Sequence, residues 1–140
     1  MAKVMFARLG REIRMNQQTG SFSLVRSFVQ LRLTNGPVCF ICVVYWEPEA
    51  ETFYQSFALT NETGDILDDT PTTECVLTSH GENISTAFFY TGFPRAGHYS
   101  INVYQNGVCI ETIPLEVVEP QESTMSSLAP TPSVGSAAQV

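Results

Sequence analysis

The stretch Val38-Cys-Phe-Ile-Cys-Val-Val-Tyr-Trp46 is apolar at all nine positions, and no other feature of the sequence constrains the fold as strongly. Four β-branched and three aromatic side chains within it favour a strand over a helix. Successive side chains of a strand point to opposite faces, so a strand apolar at every position has to be covered on both. One cover is the hydrophobic core. The other must come from the N-terminal segment, a loop, the C-terminal tail or another subunit.

The remainder of the chain is also strand-like, with turn residues at short intervals. Val4 to Phe28 reads as a hairpin unit. Ile13 and Met15 stand on one side of the polar loop Asn16–Gly20, and Phe22 and Leu24 on the other. Gly20 is where such a loop wants positive φ. Val29–Thr34 alternates apolar and polar until Asn35-Gly36-Pro37 breaks it. Glu47–Glu51 is a turn around Pro48, Thr52–Leu59 a strand, and Thr60–Asp65 a hairpin loop ending at Gly64. Asp68–Thr73 reads as a loop, Cys75–Leu77 as a short edge strand and Ile84–Tyr90 as a longer strand. In Tyr99–Tyr104 the residues Tyr99, Ile101 and Val103 share a face, and Asn106-Gly107 calls for a type I′ turn. Apolar parity changes between Ile110 and Ile113, which predicts a bulge or strand switch around Thr112–Pro114. No segment shows a 3.6-residue period. The expectation is an all-β, antiparallel two-sheet sandwich over residues 1–119 with an N-terminal β-hairpin. From Pro120 the composition shifts to Ser, Thr, Pro, Ala and Gly, which predicts a disordered tail over 120–140.

Charge is unevenly spread. Residues 1–35 hold Lys3, Arg8, Arg11, Arg14, Arg26 and Arg32 against Glu12, a net of +5. Residues 36–140 hold Arg95 against thirteen acids, a net of −12. The sequence pI near 4.6 argues against non-specific nucleic-acid binding. The simplest arrangement pairs the basic segment with the acidic remainder of the same domain; the alternative is a local anion-binding face. No run of apolar residues is long enough to span a membrane. The start of the chain lacks the apolar segment and cleavage site of a signal peptide, so a cytoplasmic location is expected.

Several stretches resemble a known family. Gly20-Ser-Phe-Ser-Leu-Val-Arg-Ser-Phe28 is similar to the hairpin arm of a family of short bacterial domains of unknown function. Phe93-Pro-Arg-Ala-Gly-His-Tyr-Ser-Ile-Asn-Val-Tyr-Gln-Asn-Gly107, followed by Ile113-Pro-Leu-Glu-Val117, is similar to its late hairpin, and Phe57–Gly64 to its central turn. The resemblance covers roughly residues 4–118 and implies an immunoglobulin-like antiparallel sandwich without catalytic activity. It implies no substrate, cofactor or catalytic residue. Loops usual in that family between the first hairpin and the central strand are shortened here.

Individual motifs point away from chemistry. Cys39-x-x-Cys42 has the spacing of zinc and thiol–disulfide sites, but in a strand residues i and i+3 face opposite ways. With Cys75 and Cys109 they are expected to be free buried thiols. Ser79-His80 lacks a nucleophile elbow, and neither His80 nor His98 has an evident acidic partner. Glu62, Asp65, Asp68, Asp69 and Glu74 crowd two loops without matching a calcium-loop spacing and read as a solvated face. The expectation is therefore no enzyme, cofactor or metal. Tyr45, Trp46, Phe53, Tyr54, Phe93 and Tyr104 cannot all be core if the strands alternate. The chain reads as a non-catalytic protein-interaction or assembly module that binds another protein or its own copy, and neither nucleic acid nor membrane. Its contact surface is expected at Tyr45, Trp46, Phe53 and Tyr54, flanked by Arg8, Arg11 and Arg14. The alternative is a small-ligand, carbohydrate- or calcium-binding sandwich using Trp46, Tyr54 and the loops around Asp65–Asp69.

Overall fold

In the computed structural model, which describes residues 2–120, Val38–Trp46 forms the middle strand of a three-stranded sheet. In chain order the strands among the described residues are β1 (Val4–Gly10), β2 (Glu12–Met15), β3 (Phe22–Val25), β4 (Gln30–Arg32), β5 (Val38–Trp46), β6 (Glu51–Thr60), β7 (Ile66–Asp69), β8 (Thr73–Leu77), β9 (Asn83–Thr91), β10 (Gly97–Gln105) and β11 (Val108–Val118). One sheet has the order β1-β5-β9. The other runs β4-β11-β10-β6, with β7 and β8 sharing the remaining edge of β6. The hairpin β2-β3 stands apart from both. No helix of the described residues is long and apolar enough to cross a membrane. Of the tail expected over 120–140, residues 121–140 lie outside the described residues.

The core lies between the two sheets. Val38, Phe40, Cys42, Val44 and Trp46 of β5 point inward, as the period of two requires. They meet Phe53, Phe57 and Leu59 of β6 and Ile101 and Val103 of β10, all buried. Trp46 packs edge-on against Phe53 across the sheets, with ring centroids 5.1 Å apart. Its indole N–H donates to Ser85 Oγ at 2.9 Å, so the one polar atom of the ring is satisfied inside the core.

Turn chemistry matches the sequence. Asn106 and Gly107 have φ of 50° and 82°, the left-handed pair of a type I′ turn. Asn61 Oδ1 accepts from the backbone N–H groups of Thr63 and Asp65, which fixes the β6–β7 loop. Three expectations need correction. The pairing is not wholly antiparallel, because β4 runs parallel to β11 at Glu116–Val118; alternation marks a strand but not the direction of its neighbour. Asp68 and Asp69 lie in β7 rather than a loop, held by the edge of β6. The bulge in β11 falls at Ile110, between the pairs Val103–Glu111 and Tyr104–Cys109, close to the tight turn and not at Thr112–Pro114.

The two flanks of the sandwich differ. On one, Asp68 of β7 accepts from Thr91 Oγ1 at 3.0 Å and Tyr90 N at 3.4 Å on the outer edge of β9. On the other, a groove of about 750 Å³ separates β1 from β11, lined by Ala7, Leu9, Phe28, Ile113 and Leu115.

Tyr99, at the start of β10, donates its buried hydroxyl to the carbonyl of Arg95 at 2.6 Å, which ties the β9–β10 crossover to the second sheet. Tyr99→Phe is expected to lower stability by about 1 kcal/mol, read as a shift in urea midpoint at unchanged slope. An unaltered midpoint would show that this bond does not hold the corner.

Candidate interaction surface

The outward side of β5 is as apolar as its inward side, and the neighbouring strands decide how much of it is seen. Ile41, Val43 and Tyr45 lie in register with Gly10, Arg8 and Phe6 of β1 and with Phe88, Thr86 and Ile84 of β9. Flanked on both sides, Ile41 and Val43 are buried although they point away from the core. Phe6 stacks on Tyr45 with centroids 4.3 Å apart, and the Arg8 guanidinium carbon sits 5.2 Å from the Phe6 centroid. A register shift at Met5, between the pairs Val4–Trp46 and Phe6–Tyr45, turns Val4 inward and Phe6 outward.

The hairpin β2-β3 covers one end of this face. A Cβ at Gly10 would lie 2.5 Å from Leu24 Cγ, so the missing side chain is what lets Leu24 of β3 settle there. Ile13, paired with Leu24 across the hairpin, is half-buried with it. The backbone N–H of Arg11 donates to the Val25 carbonyl at 3.0 Å. Beyond the hairpin the face is open. Phe88 and Tyr90 on β9 are each 67% exposed and, with Ile13, Cys39 and Ile41, line a concavity of about 460 Å³.

The residues expected to form one contact surface are distributed over four places. Tyr45 and Arg8 are on the outer face of β1-β5-β9, and Arg11 is at its junction with the hairpin. Arg14 is out on the hairpin, where it pairs with Glu12 at 3.0 Å. Trp46 and Phe53 are 2% exposed and belong to the core, so neither is a contact residue, and Trp46 offers no platform for a sugar. Tyr54 is 57% exposed but on the outer face of the other sheet. The sequence reading missed Phe6, Phe88 and Tyr90. Three consecutive aromatics, Phe88-Phe89-Tyr90, on an alternating strand could have exposed two of them, because Phe89 alone can face inward.

Other sequence candidates also resolve. Cys39 and Cys42 face opposite ways as expected, but Cys39 and Cys109 are exposed, not buried; all four thiols are free. Burial pushes Cys42 up to about 12 and raises Cys75, the latter opposed by the Ser85 hydroxyl. Among the described residues no three His, Cys, Asp or Glu side chains are grouped to hold a metal. Asp65 accepts from Thr63 Oγ1, and Asp68 is engaged with β9. Among the described residues no ion pair joins the basic side chains of the N-terminal segment to the acids of residues 36–120; the pair found there is the internal one of Arg14 with Glu12.

No family model matches the chain, and no curated protein sequence matches it. Among solved structures it is similar to part of a β-glucosidase from Listeria innocua in complex with isofagomine, at 11% identity and TM-score 0.44. It is also similar to part of the alkylpurine DNA glycosylase AlkC of Pseudomonas fluorescens bound to DNA containing an abasic site analog, at 10% identity and TM-score 0.39. These matches cover 82% and 80% of this chain, but 16% and 30% of the others. Likeness at this level assigns neither activity nor partner.

Two outcomes follow from this geometry. With a thiol reagent near pH 8, Cys39 and Cys109 are expected to react quickly in the native protein, and Cys42 and Cys75 after unfolding. Rapid native labelling of Cys42, located by peptide mass, would contradict its burial. Gly10→Ala forces Leu24 away and is expected to cost about 1–3 kcal/mol in denaturant unfolding. Wild-type stability in that variant would mean the hairpin is not seated on Gly10.

Proposed function

We propose that this chain is a non-catalytic assembly module of immunoglobulin-like type that self-associates through the outer face of β1-β5-β9. The type is supported by strand order. Reading β1, β5 and β9 as A, B and E, and β6, β10 and β11 as C, F and G, gives the two sheets of such a sandwich, with β7 and β8 staying beside C. The Tyr99–Arg95 bond at the entry to β10 matches the tyrosine corner of that fold.

The observation that carries the assembly reading is the exposed aromatic surface of Phe6, Tyr45, Phe88 and Tyr90 on one sheet face. Exposed aromatic side chains of this kind mark contact sites, and interface centres are rich in aromatics and poor in charge. Arg8 is the charged side chain in register on this face, and it is stacked on Phe6. The edge of β1 is a poor docking strand, since it carries the Met5 irregularity and Arg8, both devices that discourage edge pairing. Contact therefore uses the face. Aromatic side chains on this face can meet their own copies, and a twofold contact repeats each residue's environment on both sides.

Size-exclusion chromatography with light scattering is expected to show a dimer. Phe88→Glu with Tyr90→Glu should convert it to a folded monomer, because both side chains lie outside the core. A wild-type monomer at every concentration, or a dimer indifferent to both substitutions, would remove the reading.

A further inference from the structure

On the other side of Arg11 from the aromatic concavity, Arg11, Arg26 and Arg32 line a single concavity of about 390 Å³. Arg11 stands at the bend between β1 and β2, Arg26 just after β3, and Arg32 at the end of β4. Phe28 and Leu31 contribute apolar lining and Ser27 a hydroxyl, and no acidic side chain lines the cavity. Among the described residues none of the three guanidinium groups has a carboxylate at ion-pair distance. Glu116, on the strand beside β4, takes the side-chain amide of Gln30 at 3.0 Å and no arginine. In a chain with fourteen acidic residues, carboxylates to pair these cations are plentiful, yet among the described residues the three exposed guanidinium groups are left to solvent and open to a ligand. Arg26 adds a backbone cost. Its φ is 57°, a left-handed conformation that residues with a Cβ rarely adopt and that glycine would take without strain. A strained, unpaired cation beside two others is an arrangement that a bound anion would repay.

We propose that this concavity binds a phosphomonoester, with its phosphate on the guanidinium groups and a small apolar body against Phe28 and Leu31. Guanidinium forks match oxyanions in two-point fashion. One carboxylate brings a single charge and two oxygens, too few for three forks. A phosphate monoester brings close to two charges and three terminal oxygens. The volume falls at the small end of ligand pockets, about 300–1,000 Å³, which suits a compact ester. The same group occurs on free small molecules and on phosphorylated serine in a protein segment.

Isothermal titration of the full chain at low ionic strength separates these sources. Phenyl phosphate serves as one probe and a short phosphoserine peptide with an adjacent leucine as the other, with benzoate as the carboxylate control. Phosphate-probe binding should exceed benzoate binding, and the tighter of the two phosphate probes assigns the source. Arg32→Gln and Arg26→Gly should each weaken binding about tenfold. Arg26→Gly should do so without lowering the thermal midpoint, because it relieves the left-handed strain as it removes the charge. Arg11→Gln, at a position of ordinary backbone geometry, should act in the same direction. The proposal fails if neither phosphate probe binds, if benzoate binds as well, or if folded variants bind as the wild type does.

Discussion

Everything in this structure follows from β5 being apolar on both faces. A strand of that kind cannot sit at an edge or carry a solvated side, so it becomes the middle of its sheet, with β1 and β9 as its two neighbours. Its inward set, from Val38 to Trp46, meets β6, β10 and β11 and defines the core. Its outward set is shielded by what the flanking strands place beside it and by the hairpin that Gly10 admits. The aromatic surface is the part of that outward layer left over once the flanking strands and the hairpin have covered what they can reach.

Much of this was legible before any coordinates. Continuous apolarity marked β5, alternation marked β10, and Asn106-Gly107 marked the turn between β10 and β11. These are local signals, and local signals determine local structure. The contact residues were less legible, for two different reasons. In β5 every position is apolar, so periodicity cannot tell whether Tyr45 or Trp46 faces the core; which face packs against the sheet containing β6 decides it. In β6 the information was present, because Phe53, Phe57 and Leu59 share a parity that Tyr54 does not, and that pattern places Phe53 inward. The parallel pairing of β4 and the position of the bulge at Ile110 depend on which strand edges are free, and that is a property of the whole fold.

The N-terminal thirty-odd residues do a different job from the rest. They supply β1 to one sheet, β4 to the other, and between them a hairpin belonging to neither. Because this segment passes from one sheet to the other, its arginines are spread over both sheets and the hairpin between them.

The unequal flanks of the sandwich bear on how it moves. Where Asp68 bridges to β9, the two sheets are bound through side chain and backbone together. Where β1 faces β11 a groove intervenes, and the tie is the main chain of Phe28 and Val29, bonded to Leu9 on one side and to Glu116 on the other. The two sheets are thus clasped by a side chain on one flank and by a strip of backbone on the other. The amide protons of Phe28 and Glu116 belong to that second clasp, and their exchange should report its opening.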